Sequence, residues 1–288
     1  MQKPSSSVAA MLVCTLTSGA AWLCGTPPVP AIRPAPPPVT APVGPAAAQP
    51  PVVAPRLPTP TPQPAAATAS NNRQPGDVID LKNWYLTLPS GSSGDPDTVE
   101  QPKLASYTSK FFRLNDTRDG VAFTATAGGT TTENSHYPRA ELREMNGSAK
   151  AAWSNTRGTH TMTARQAITA LPKAKPEIVS AQIHGGDDDV MQVRLEGSKL
   201  VVQYDDGKSE IVMDGNYKLG TVFDVKIVAT GGRVLVSYNG VQKAEIKQSG
   251  SGWYFKSGSY LQSNTSKGDK PNAEGTVVIY SLKVTHSN

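Results

Sequence analysis

Alternation constrains this chain more than any other feature of it. Past Pro75 the apolar residues recur with period two far more often than with the 3.6 of a helix. The short runs include Trp84-Tyr85-Leu86-Thr87-Leu88, Met191-Gln192-Val193-Arg194-Leu195, Lys199-Leu200-Val201-Val202-Gln203-Tyr204, Asp224-Val225-Lys226-Ile227-Val228 and Thr276-Val277-Val278-Ile279-Tyr280. Successive side chains of a strand point to opposite faces, so each run reads as a strand. Turn signals punctuate the runs: Asp206-Gly207, Gly231-Gly232 and, most strongly, Asn239-Gly240. Both residues of the last tolerate positive φ, which predicts a hairpin joining Arg233–Tyr238 to 241–246. Many short strands with evenly spaced turns predict an all-β fold, a jelly-roll β-sandwich of two antiparallel sheets with a concave groove. Helix is scarce, with one short piece expected near 103–112. Such sandwiches host lectins, hydrolases and lyases alike, so the fold alone does not fix the function.

The alternation starts abruptly. Of the 25 prolines in the 288 residues, 17 lie between Thr26 and Pro75, a stretch with no Asp or Glu. Residues 26–75 are so poor in large apolar side chains that burial cannot offset their ordering entropy, and a disordered, largely polyproline-like linker is expected. Residues 1–25 read as an export signal: Lys3, an apolar run from Val8 to Leu16, then small residues from Ser18 to Ala21. The apolar run falls short of the ~20 residues that span a bilayer. The expectation is a protein secreted, or exported to the periplasm or cell surface, whose mature domain does not insert into a membrane. Cys14 and Cys24 both lie in this leader, so the domain at 76–288 has no disulfide and no thiolate metal site. Lipidation at Cys24 is disfavoured by the bulk of Leu23 before it.

The formal net charge of +5 says less than its size suggests. Lys3, Arg33, Arg56 and Arg73 precede Gly76, which leaves the domain with 24 basic and 23 acidic residues. A nearly neutral domain argues against a broad nucleic-acid surface. Affinity for a polyanion must come from a local cluster.

Three segments supply one. In Tyr137-Pro138-Arg139-Ala140-Glu141-Leu142-Arg143-Glu144-Met145, alternation puts Arg139, Glu141 and Arg143 on one face. Two guanidiniums flanking a carboxylate suit a sugar-acid site, since each grips a carboxylate through two parallel hydrogen bonds. A solvated strand face with ordinary ion pairs fits that segment equally well. In Ser180-Ala181-Gln182-Ile183-His184-Gly185, Gln182 and His184 share a face while Ile183 points inward. A lone strand histidine is more often structural than catalytic. In the third segment Tyr254, Lys256, Gly258, Tyr260, Gln262 and Asn264 alternate onto one face, with Phe255 and Leu261 on the other. That stripe suggests a groove floor against which a flat sugar can lie.

Taken together the segments resemble the alginate lyases of polysaccharide lyase family 7. That family is marked by an Arg-(Ser/Thr)-Glu-Leu-Arg strand, a Gln-(Ile/Val)-His strand and a Tyr-Phe-Lys-Ala-Gly-x-Tyr-x-Gln strand. This chain carries Arg139-Ala-Glu-Leu-Arg143, Gln182-Ile-His184 and Tyr254-Phe-Lys-Ser-Gly-Ser-Tyr-Leu-Gln262 in the same order. Asp80-Leu-Lys-Asn-Trp-Tyr-Leu-Thr-Leu-Pro89 and Val278-Ile-Tyr-Ser-Leu282 extend the similarity over essentially all of 76–288. Ala140 and Ser257 depart from the pattern. Ala140 is expected to alter packing only, and Ser257 to add a hydrogen bond at most.

The resemblance implies an enzyme that cleaves the acidic polysaccharide alginate by β-elimination at 4-O-linked uronates. No cofactor or metal is expected, and a monomer is. On this resemblance Arg139 and Gln182 bind and polarise the C6 carboxylate, so that the C5 proton becomes acidic. Glu141 holds the arginines, and Arg143, Lys256, Gln262 and Asn264 serve the site or adjacent sugars. His184 is the base, its ordinary pKa lying near ~6.5, and Tyr260 the acid. In guluronate the C5 proton and O4 lie on opposite faces, which calls for both residues. In mannuronate they share a face, where Tyr260 alone can serve. Ile at position 183 accompanies guluronate preference in the family. Three rivals stand beside this reading. A lyase for another polyuronate, such as polymannuronate or polyglucuronate, is the nearest. A non-catalytic glycan-binding module is the second. The third, a hydrolase, needs two carboxylates on one face about 5–10 Å apart, whereas Glu141 and Glu144 alternate to opposite sides. Asp187, Asp188 and Asp189 read as a solvated turn or a weak calcium site.

Overall fold

Sixteen strands and three single 3-10 turns make up the regular structure of residues 72–186 and 188–287, the part described by the computed structural model. One antiparallel sheet has the order β11 (Ser209–Asp214), β10 (Lys199–Tyr204), β9 (Asp189–Glu196), β8 (Glu177–His184), β15 (Tyr254–Leu261), β5 (Arg139–Asn146), β1 (Trp84–Ser92) and β2 (Asp95–Val99). The short β6 (Ala149–Lys150) pairs with β5 off this path. The second sheet runs β14 (Val241–Lys247), β13 (Arg233–Tyr238), β12 (Phe223–Thr230), β7 (Thr159–Ala170), β16 (Glu274–Ser287), β4 (Val121–Thr126) and β3 (Phe112–Leu114). This is the two-sheet all-β architecture that alternation predicts. The Asn239-Gly240 hairpin forms as expected, with φ of 48° and 80°.

The helix expected near 103–112 does not form. Lys103–Ser106 makes one 3-10 turn, Tyr107 is already extended, and Phe112 opens β3. Leu104 alone is driven inward there, so the segment buries too little on one face to sustain an α-helix. The leader 1–25 and nearly all of the linker 26–75 lie outside the described residues. At the near edge, the folded contacts begin slightly before Gly76: Pro75 is buried and Arg73 Nη1 donates to the Arg118 carbonyl at 2.8 Å.

The core fills the space between the sheets. Leu86, Ala140, Leu142, Ala181, Ile183 and Phe255 come from the larger sheet, and Phe123, Met162, Ile168, Ile227 and Val277 from the other. Burying one face of β5, β8 and β15 fixes the phase of their other faces, because a slip of one residue would turn every side chain over. Ala140 and Ile183 are fully buried, and Ser257 Oγ donates to the Ser180 carbonyl at 3.3 Å. The two departures from the family pattern therefore sit in the interior.

The larger sheet is irregular beneath its polar face, where β15 meets β8. β15 pairs with β5 without a break from Lys256↔Arg143 to Tyr260↔Arg139. Its pairing with β8 slips between Ser257↔Ala181 and Tyr260↔Val179. Gly258 sits at this bulge with φ of 143°, and a Cβ there would stand 2.6 Å from the Ala140 carbonyl oxygen and 2.9 Å from Glu141 Cα. Gly258→Ala is expected to force β5 and β15 apart and cost about 1–3 kcal/mol, measurable by urea denaturation. A variant with an unchanged midpoint would show that the strands have room to spare.

Candidate active site

The polar face of β1, β5, β15 and β8 gathers Arg139, Glu141, Arg143 and Lys256 at one place. At its centre Glu141 is 1% exposed. Its Oε2 faces Lys256 Nζ at 2.7 Å and Arg139 Nη1 at 3.3 Å, and its Oε1 accepts from Gln182 Nε2 at 2.6 Å. Burial alone would disfavour this carboxylate. The Lys256 and Arg139 cations beside it overcome that cost and hold its carboxyl below the ordinary value. Lys256 is pulled down to about 8, first by burial and then by the Arg139 charge, against the attraction of Glu141. The centre is thus two cations and one anion, a net positive charge placed where little water reaches it. Arg139 Nε is buried with no hydrogen-bond partner among the described residues.

Two aromatic stacks flank that centre along β15. The Arg139 guanidinium lies over the Tyr260 ring at 3.8 Å, and Lys256 Nζ is 5.9 Å from the same centroid. Toward the other end of β15, Arg143 lies over Tyr254 at 3.8 Å, and the Tyr254 and His184 rings stack at 5.3 Å and 19°. His184 and Tyr260 therefore stand on either side of Glu141, Lys256 and Gln182, since His184 pairs with Tyr254 and Tyr260 with Arg139. Gly258 lies between Lys256 and Tyr260, and a Cβ there would meet the β5 backbone and the core ring of Phe123.

The two flanking groups are held in defined states. His184 Nδ1 is 2.8 Å from the Gly185 carbonyl oxygen, which only accepts, so Nδ1 carries the hydrogen and Nε2 the lone pair of the neutral ring. Burial pushes the imidazole pKa down, and the Lys256 and Arg139 charges add to that, against the pull of the Gly185 carbonyl. The ring is neutral and ready to accept a proton at neutral pH. Tyr260 Oη is 3.1 Å from Ser135 Oγ, on the segment that leads into β5.

The outer members of the three segments are placed differently. Arg143 spends its hydrogen bonds on the Glu144 and Ala151 carbonyls, at 2.8 and 3.4 Å, and its flat face on Tyr254. The stripe expected to run from Tyr254 to Asn264 leaves the strand at Leu261. Gln262 is buried, with Oε1 3.4 Å from Arg194 Nη1 and Nε2 donating to the Leu261 carbonyl. Asn264 caps the 3-10 turn Thr265–Lys267 and donates to the His136 carbonyl at 2.8 Å. Capping competes with strand geometry, and the side chain's own backbone bonds win. Glu144 faces the sandwich interior, where it accepts from Trp153 Nε1 and the Phe255 amide and meets His286 at 2.6 Å. Glu141 and Glu144 thus form no carboxylate pair on one face.

Two residues on this face escape sequence reasoning. Tyr85 pairs with Arg143 across β1 and β5, and burial pushes its phenol pKa up. The alternation of Trp84, Leu86 and Leu88 inward was the signal that could have found it. Ser135 has no such signal, because it lies in a loop whose path alternation does not describe.

The chain is similar to a group of known proteins. A family model described as alginate lyase matches residues 79–286. The alginate lyase AlgAT5 from polysaccharide lyase family 7 is 52% identical, with a TM-score of 0.72 over 75% of this chain and 100% of that one. An alginate lyase from Corynebacterium sp. is 47% identical, with a TM-score of 0.71 over 74% of this chain and 98% of that one. A variant of the family 7 alginate lyase A1-II', solved in complex with the substrate GGMG, is 30% identical with a TM-score of 0.66, over 75% and 97% of the two chains.

Proposed function

This chain belongs to the alginate lyase family, and from that premise we propose that it cleaves alginate by β-elimination with a preference for guluronate-containing blocks. One observation carries the reading: a buried Arg139–Glu141–Lys256–Gln182 cluster with His184 on one side and Tyr260 on the other.

Elimination across C4–C5 of a uronate needs the C6 carboxylate neutralised, the C5 proton removed and the departing O4 protonated. The Arg139 guanidinium and Gln182 offer donors to the carboxylate and to the negative charge that grows on it as C5 loses its proton. Fixed donors in a dry site stabilise such charge without reorganising. Glu141 keeps the donors aligned and stays bound to them throughout. His184 Nε2 takes the C5 proton, and the Tyr260 hydroxyl gives its proton to O4. Acid and base on opposite sides suit the anti geometry of guluronate. On mannuronate, where both atoms lie on one face, Tyr260 acts from its phenolate: the oxygen takes the C5 proton and passes that same proton to O4, ending as the phenolate again. Ile183 is buried against the core, paired with Phe255 and Met191, so its influence on block preference is exerted by setting the height of β8 beneath Gln182 and His184.

The test is the ultraviolet absorbance of the conjugated double bond, followed on polyguluronate, polymannuronate and polyglucuronate. Polyguluronate is expected to turn over at least about tenfold faster than polymannuronate, a difference of ~1.4 kcal/mol in barrier. No chromophore is expected from polyglucuronate. Equal or reversed rates on the first two polymers would remove the guluronate preference and leave the lyase activity standing. We further propose that the protein acts outside the cytoplasm, on the strength of the export-signal pattern in 1–25.

A further inference from the structure

We propose that Ser135 is a positioning residue for the phenol of Tyr260 and the donor that receives its phenolate when the proton leaves. The inference rests on the reading of Tyr260 as the acid.

Three contacts meet at the Ser135 hydroxyl. Tyr260 Oη lies 3.1 Å from it, the Tyr137 amide donates to it at 3.2 Å, and it donates to the Tyr137 carbonyl at 3.2 Å. A hydroxyl has one hydrogen and two lone pairs. With its hydrogen on the Tyr137 carbonyl and one lone pair taken by the Tyr137 amide, Ser135 has one lone pair left, and the Tyr260 O–H fills it. Without substrate the Tyr260 hydrogen is thus held on Ser135; a bound O4 draws that hydrogen away, while the phenol oxygen stays where Ser135 places it.

The same hydroxyl serves the other protonation state. When Tyr260 gives its proton to O4, the O–H bond breaks, the electron pair stays on the phenolate and the proton leaves with the new sugar hydroxyl. Ser135 then rotates its own hydrogen from the Tyr137 carbonyl to the phenolate oxygen. The Tyr137 amide still donates to Ser135 Oγ, so a backbone N–H stands behind the charge through one hydroxyl. No proton passes to Ser135, and solvent later restores the phenol.

The segment is built to hold this position. Ser135 N closes a turn onto the Thr132 carbonyl at 3.0 Å, and the Leu261 amide donates to the Pro138 carbonyl at 3.1 Å. Asn264 Nδ2 secures the His136 carbonyl at 2.8 Å. Residues 135–138 are thereby stitched to 261–264 just beyond Tyr260. The cations Arg139 and Lys256 address the ring, while β8 offers only Val179 opposite Tyr260. Ser135 is the neutral donor at the oxygen.

Ser135→Ala is expected to lower kcat about 10- to 100-fold on both polyguluronate and polymannuronate, with KM within about twofold. Ser135→Thr, which restores a hydroxyl, is expected to recover most of the rate. In a Tyr260→Phe background the alanine variant is expected to cost nothing more, because no phenolate forms. Full kcat in Ser135→Ala would overturn the proposal. So would a loss that threonine does not restore, or one that recurs undiminished in the Tyr260→Phe background. Near-parental turnover by Tyr260→Phe alone would instead remove the premise, and it is read from a different variant.

Discussion

Tyr260→Phe is expected to lower kcat on polyguluronate and polymannuronate alike by about 100- to 10,000-fold, the range a positioned acid or base contributes. The substitution deletes one oxygen and leaves the ring, so the Arg139 stack at 3.8 Å has its partner and the strand its packing. What disappears is the proton for O4, which both blocks require. His184→Ala makes the contrast. It is expected to abolish polyguluronate cleavage to a similar degree and to spare polymannuronate, where Tyr260 reaches both the C5 proton and O4 from one side. The pair of variants assayed on the two polymers separates the roles. Near-normal polyguluronate turnover by His184→Ala would sink its assignment as base, and substantial turnover by Tyr260→Phe on either polymer would sink the acid. The neutral state of His184 supports the first expectation. Burial, Lys256 and Arg139 hold its pKa below the ordinary imidazole value, so the base form persists at pH values where a solvent-exposed histidine begins to protonate.

Glu141→Gln is expected to destabilise the domain by about 3–5 kcal/mol, because it removes the anion from two buried cations and leaves them facing each other. For a domain of this size that is roughly 10 °C in melting temperature. The effect has a pH sign. The folded-state pKa of Glu141 lies below its ordinary value, so its contribution is complete above about pH 4.5 and is lost as the pH falls through the lower folded value. The parent protein's acid sensitivity should therefore shrink in the variant. A second substitution distinguishes stability from activity. Glu141→Gln combined with Lys256→Met removes one stranded cation and is expected to regain much of the melting temperature, while activity stays low because carboxylate recognition is gone. A single variant that melts within about 2 °C of the parent would show that the cluster relaxes into solvent and is not a closed ion network.

The sequence was informative wherever one face of a strand is buried. Trp84, Leu86, Leu142, Ile183 and Phe255 lie inward and Arg139, Glu141, Gln182, Lys256 and Tyr260 lie on the opposite face, as period two requires. It was uninformative where the chain stops alternating. Asn264 leaves the stripe to cap a turn, and 103–112 forms a single 3-10 turn and then strand, because local backbone bonds and one buried leucine outweigh any longer pattern.

By itself, then, the sequence determined the two-sheet architecture and which side chains share the polar face, since alternation is a local property that hydrophobic burial enforces. Only the tertiary structure decided which strands are neighbours. β5, β15 and β8 meet although long stretches of chain separate each from the next. That pairing makes Glu141 the shared anion of Arg139, Lys256 and Gln182, and the unbroken register of β15 against β5 sets Tyr260 opposite Arg139. Charge state and proton geometry arise from distances of a few ångströms between residues far apart in sequence, and no periodicity encodes those distances.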